Sequence, residues 1–371
     1  MEPPQGRRLD AEGSRSPALS AQALAADGLT ALVAAVQRNC DLADAHHADG
    51  KSLCTYLLGM REYFRWETRL PLGKAPERAA LSCWIAQREA HWELLRENGS
   101  ARFAPLPLAD GIDPFDDERV NRYLASQGIV YGAGIGLFGA PLFFLAERES
   151  DQLRDGARVI VAGTELARGV VAPPAASRGD TVIIRRDALR RWLSTRIEGA
   201  QRGPADNAFG TALRAYGDPA DAATVERMAH GETETLVLHE LGELRAAALL
   251  GEEWETMLAG IDDRRTELLV RAVRDLLADC LVTLPALTER QAAASLQFWR
   301  ANFDGLRRVL APDLATAFGA PLSRIDLAAL DRATRVGRKT WRAVADHLLT
   351  EWRRGGNAAL QARAAALSAA A

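Results

Sequence analysis

The sequence predicts an α+β fold, predominantly α-helical with a small β-rich insertion that is largely antiparallel. Three observations carry that prediction. Apolar residues recur at spacings of three and four along most of the chain. Between about Gly128 and Ile184 they give way to short β-type runs separated by Gly, Pro, Asp and Ser. From Arg186 onward the helical period returns. Taken in order, Leu29, Val33, Val36, Cys40, Ala43 and His47 trace one stripe of a helix that ends before Asp49-Gly50. Ser52 to Trp66 predicts a second, very apolar helix. Pro76 to Glu97 predicts a third, opening at a proline and closing at Asn98-Gly99. Ile129–Tyr131, Leu142–Leu145, Val159–Val161 and Thr181–Ile184 are the expected strands, antiparallel in the main because most of their connections are short. Further helices are expected over 186–197, 221–251, 264–284, 289–309 and 324–352. The implied organisation is a disordered terminus over 1–20, a helical part over 21–127 and the insertion over 128–185. A second helical part over 186–355 packs on the first, and an Ala-rich tail over 356–371 is a frayed helix or a tail.

Composition narrows the function classes. A chain of 371 residues can bury a sizeable core, and 46 Lys+Arg against 49 Asp+Glu leave no global field to recruit nucleic acid or an anionic membrane. Neither partner is expected. Four scattered cysteines without a paired motif predict reduced thiols, and with no apolar leader or long apolar run the expected location is cytoplasmic.

The chemistry concentrates in Leu238-His239-Glu240-Leu241-Gly242-Glu243. On a helix His239 and Glu243 share one face, with Glu240 about 100° around. Val237, Leu241, Leu244 and Ala248 make the opposite face apolar, so the helix should be buried and its charges should need partners or a metal. Asp275 and Asp279 repeat the i,i+4 spacing on a second apolar helix. Two carboxylates one turn apart raise each other's proton affinity unless a cation lies between them, and Arg271 and Arg274 are candidates for that cation. Asp44 and His47 supply an i,i+3 pair on the first helix. Inward-facing carboxylates and Asp/Glu-x-x-His pairs drawn from several helices are the ingredients of di-metal carboxylate bundles.

Other motifs point less far. His239-Glu240-x-x-Glu243 differs from the His-Glu-x-x-His of zinc peptidases at its second ligand. Gly134-x-Gly136-x-x-Gly139 is followed by Pro141 and an apolar run rather than by a helix, so it predicts a turn in the sheet and not a dinucleotide site. Arg185, Arg186, Arg190, Arg191 and Arg196 surround one short helix and predict a solvated basic face.

Val36-Gln-Arg-Asn-Cys-Asp-Leu-Ala-Asp-Ala-His-His47 and Leu53-Cys-Thr-Tyr-Leu-Leu-Gly-Met-Arg-Glu-Tyr-Phe-Arg-Trp-Glu67 resemble a bacterial protein family known by a locus-tag name. So do Leu238–Glu243 and Arg271–Leu281. The resemblance runs from about residue 29 to past residue 310. It implies a cytoplasmic bacterial protein and brings no activity with it. From the residues themselves, the expected function is a metal-dependent enzyme of hydrolase or oxidase class. His239, Glu243, Asp275 and Asp279 would bind iron, manganese or zinc, joined by Asp44 and His47, with Glu240 as acid/base. The alternative is a helical scaffold or partner-binding protein in which the same groups form a buried ion network with Arg245, Arg271 and Arg274.

Overall fold

The structure, a computed structural model, describes residues 26–47, 52–97, 102–109, 111–136, 139–200, 207–218, 221–319 and 324–370. The expected disorder over 1–20 lies outside these residues. Three helices open the described structure: α1 (Ala26–His47), α2 (Leu53–Glu67), capped by the Ser52 hydroxyl, and α3 (Arg78–Glu97). After the short α4 (Asp117–Leu124) come β1 (Ile129–Ile135), β2 (Pro141–Arg154), β3 (Ala157–Arg168), β4 (Ala175–Arg178) and β5 (Thr181–Arg185). The C-terminal helices are α5 (Arg186–Ala200), α6 (Ala208–Arg214), α7 (Ala222–Leu250), α8 (Glu252–Ala259) and α9 (Arg264–Ala278). Beyond the π-helical turn Asp279–Thr283 come α10 (Leu284–Glu289), α11 (Ala293–Asn302), α12 (Gly305–Leu310), α13 (Pro312–Ala317) and α14 (Leu327–Ala370).

The five strands form one sheet in the order β1-β2-β3-β5-β4. Three of its pairings are antiparallel, but β3 and β5 run parallel, so the sheet is mixed. A parallel pair needs a crossover, and residues 169–180 supply it by laying β4 outside β5 before the chain turns back. Ile135 faces Pro141 where β1 and β2 pair, so a strand and not a helix follows Gly139, as the sequence predicts. A hairpin turns at Asp155-Gly156, both with positive φ (51° and 84°), as a two-residue loop requires.

Helix α7 lies at the centre of the C-terminal half and is buried on several sides. Val237 and Leu241 pack on Val159, Val182 and Ile184 of the sheet. Leu238, Ala246 and Leu250 join the core built around Leu269, Val273 and Leu276 of α9. Val225, Met228 and Ala229, nearer its start, pack with Leu193 of α5 and Phe298 of α11. Helix α14 kinks at Gly355 and Gly356, where Gly356 takes φ +58°, and its last segment buries Leu360 and Ala364. The Ala-rich tail is helix with a core-facing side.

Candidate metal centre

Helices α7 and α9 cross antiparallel at unusually short range. A Cβ on Gly242 would stand 2.6 Å from the carbonyl oxygen of Ala278, so glycine is what lets the two backbones meet there. His239 and Glu243, on either side of Gly242 along α7, are thereby brought against Asp275 and Asp279. The helix changes register at that point. Asp279 opens a π-turn in which the Leu284 N–H reaches back to the Asp279 carbonyl, and Asp279 and Thr283 are fully buried. Single π-turns inside α-helices recur at functional sites, because the extra residue re-aims the side chains it carries.

His239 Nδ1 donates to Asp279 Oδ1 at 2.9 Å, and His239 Nε2 stands 3.3 Å from Glu243 Oε1. One ligand atom each from His239, Glu243 and Asp275 lies within 4.8 Å of the others. These three side chains keep 22%, 15% and 25% of their surface exposed, so ions can reach them. Donors bound at about 2.1 Å to one metal ion stand up to roughly 4.2 Å apart, so small side-chain adjustments bring this set into range. The donor set of one imidazole and two carboxylates suits iron, manganese or zinc.

The electrostatics are those of closely packed opposite charges. Burial opposes protonation of His239, but the Asp279 and Glu243 carboxylates outweigh it and raise its pKa well above the usual imidazole value. Burial also works against the charge on Glu243. The hydrogen bond from His239 and the Arg274 guanidinium prevail and lower its pKa to about 2. Asp275 is pushed up to about 6 by burial and by the negative charge of Glu243. Glu240, 6% exposed and turned toward Ser177 of β4, is pushed up to about 7 by burial and again by Glu243.

Arginines also enter the cluster. Arg274 Nη2 donates to Glu243 Oε2 at 2.6 Å and stands 3.7 Å from Asp275 Oδ1, while Arg307 of α12 lies 3.5 Å from Asp279 Oδ2. Arg271 is engaged by Glu267 instead. The residues expected from α1 go elsewhere. Asp44 is buried and accepts a hydrogen bond from the Val170 N–H at 2.9 Å, while His47 is exposed at the helix end. Neither belongs to the metal-capable set found among the described residues. An i,i+3 stripe shows which face of a helix a residue occupies, but not which neighbour covers that face. For α1 the neighbours are the sheet and α3. Sequence reasoning missed Arg307, Ser177 and the role of Gly242. Of these only Gly242 left a signal, a glycine inside a strongly helical tract.

The basic residues around α5 also depart from expectation. Arg185 is buried and ion-paired to Glu165, and Arg191 pairs with Asp187 at 3.4 Å with 13% of its side chain exposed. The face is packed rather than solvated, because Glu165 and Glu149 of the sheet present carboxylates to it.

Comparison with known proteins bears on family alone. No curated protein and no solved structure matches the chain. A family model described as the N-terminal domain of a family of unknown function (DUF6866) matches residues 31–185, and the model of its C-terminal domain matches residues 190–370. The candidate centre on α7 and α9 falls within the second match, and the segments around Val36 and Leu53 fall within the first. With these two models spanning nearly all of the described structure, the chain belongs to the DUF6866 family.

Proposed function

We propose that the protein is a metal-dependent enzyme of hydrolase or oxidase class, with His239, Glu243 and Asp275 as ligands of a divalent iron, manganese or zinc ion. The observation that carries this reading is the division of labour at His239. Asp279 takes the Nδ1 hydrogen and fixes the ring, which turns Nε2 toward Glu243 and Asp275. A carboxylate behind a histidine in this way orients a metal-ligating imidazole and raises its basicity. Asp279 therefore acts in the proposal as the orienting group and not as a ligand. A bound ion of this kind supplies Lewis acidity and an activated water. In this reading Glu240, whose proton affinity lies near neutrality and feels the charge of Glu243, is the group that gives or takes the proton.

A second reading has its own observation. Arg274 already lies between Glu243 and Asp275, as it would in a purely structural ion network. Elemental analysis of the full chain, purified without chelator or affinity-tag metal, separates the two. The enzyme reading expects near-stoichiometric transition metal, abolished in His239→Ala and Glu243→Gln, and weakened about 10- to 100-fold in Asp279→Asn. Wild-type protein that carries no metal and takes up none on titration sinks it in favour of the scaffold.

A further inference from the structure

The charge balance of the whole chain conceals a local excess. Residues 300–342 carry nine Lys and Arg against four Asp, in a chain whose totals are 46 basic and 49 acidic residues. Much of the excess lies on the first half of α14. Arg332, Arg335 and Lys339 follow one another at spacings of three and four, so they share one side of the helix, with Arg338 beside them. All four are exposed, while Leu330, Thr334, Gly337 and Trp341 turn the opposite side into the protein. Among the described residues only Arg335 of the four reaches a carboxylate, that of Asp331 at 2.6 Å. That pair stands in solvent, with 70% and 50% of its side chains exposed, and holds its arginine loosely.

A second basic group adjoins the start of α14. Phe318, just past α13, shares a core with Leu330 and Ala333 of α14, and the Arg300 guanidinium lies over its ring at 5.5 Å. Arg300 Nη2 donates to the Gly319 carbonyl at 3.3 Å, while Nη1 is buried with no acceptor among the described residues. Burial and the like charge of Arg308 on α12 lower the Arg300 pKa, and no carboxylate opposes them. Soluble surfaces ordinarily intersperse the two signs of charge, and this one does not. Its exposed apolar side chains are two valines, Val309 (46%) and Val336 (62%). Helices that lie in a membrane surface carry Trp, Phe or Leu to insert, and single-strand binders carry exposed aromatic rings on which bases stack. The described residues of this region expose neither, since Phe303, Phe318 and Trp341 are buried. What they offer is guanidinium forks, which match phosphate.

We propose that the basic face of α14 binds duplex nucleic acid through its phosphates, without reading base sequence. From Arg332 to Lys339 the helix rises about 10 Å, along which a duplex presents about six phosphate charges. The proposal does not rest on the metal reading. Its test is fluorescence anisotropy of the full chain with a labelled DNA duplex of mixed sequence, titrated at several salt concentrations. The expected result is saturable binding that weakens steeply with salt. The combined variant Arg332→Gln, Arg338→Gln, Lys339→Gln should lower the salt slope by about one for each residue and weaken binding about tenfold or more at about 0.1 M salt. These side chains are exposed, so its circular dichroism and melting temperature should match the wild type. Arg353→Gln with Arg354→Gln removes two exposed charges from the same helix about 20 Å away, beyond the screening length of about 10 Å, and should leave affinity unchanged. Absence of duplex binding by the wild type, or equal losses in the two variants, overturns the proposal. So does tighter binding to phosphatidylglycerol vesicles or to polyglutamate than to the duplex, which assigns the face to a membrane or to an acidic protein instead.

Discussion

The two ring nitrogens of His239 face different carboxylates, and Arg274 competes with any cation for one of them. That competition makes Arg274 the informative residue. Arg274→Leu leaves Glu243 without its guanidinium, which should cost about 3–5 kcal/mol, as removal of one partner from a buried ion pair does. If the cluster binds metal, adding zinc or manganese should return much of that loss, about 2.7 kcal/mol at a concentration one hundred times Kd. Denaturant melts of Arg274→Leu with and without metal check it. A loss that metal does not touch means that no metal ion takes the arginine's place beside Glu243. Glu165 gives a prediction about pH. Burial raises its proton affinity, but Arg185 and Arg168 prevail and its pKa falls below the ordinary 4.5. A lowered carboxylate pKa adds stability that is fully present above about 4.5, the unfolded value, and is lost as pH falls through the folded value. Glu165→Gln should therefore be several kcal/mol less stable at pH 7, and its stability should fall less steeply between pH 4.5 and pH 3. An unchanged acid slope would show that Glu165 takes no part in acid unfolding.

At the scale of the element, the crossing of α7 and α9 depends on a missing side chain. Gly242→Ala puts a methyl group 2.6 Å from the Ala278 carbonyl oxygen, a backbone atom that cannot swing aside. The helices must separate, at about 1–3 kcal/mol as for other overpacked cores. His239 and Glu243 then withdraw from Asp275 and Asp279. Far-UV circular dichroism should stay helical while, under the proposed metal reading, metal content falls. Retention of full metal content would show that the cluster tolerates the shift. The same elements show what a sequence can disclose. The tract around Val237 and Leu241 is apolar nearly all round, and α7 is indeed buried by the sheet, by α9 and by α5. Strand β2 was recognised only over Leu142–Leu145, because its second half, Glu147 to Arg154, is polar and is held by pairing with β3 rather than by burial. Strand β4, Ala-Ala-Ser-Arg, has no β-propensity to detect and exists through its register with β5. The His239–Asp279 bond joins residues 40 apart. Spacing showed that each stripe was buried and charged, and only the antiparallel crossing shows that they meet. Asp44 satisfies the same local pattern and meets a backbone N–H instead.

For the whole molecule, the last segment of α14 tests how far stability and site are separable. After the break at Gly355 and Gly356, Leu360 and Ala364 enter the core that holds Trp254 and Leu269. Asn357 donates to the Gly260 carbonyl at 2.9 Å and Gln361 to Asp262 at 3.0 Å, fastening the segment near the start of α9. Asp279 lies about 24 Å further along that helix, at 1.5 Å per residue. A chain ending at Gly356 should lose on the order of 3 kcal/mol, since one buried leucine is worth about 1.5–3 kcal/mol and the truncation leaves its contacts exposed. Under the proposed metal reading, metal content and its dependence on His239 should not change, because α7 and α10 pack on the π-turn and α12 on α9. Thermal melting together with elemental analysis of the truncated chain reads both quantities. A folded truncation that loses its metal would show that the far end of α9 positions the site. An undiminished melting temperature would mean that Leu360 contributes no net burial.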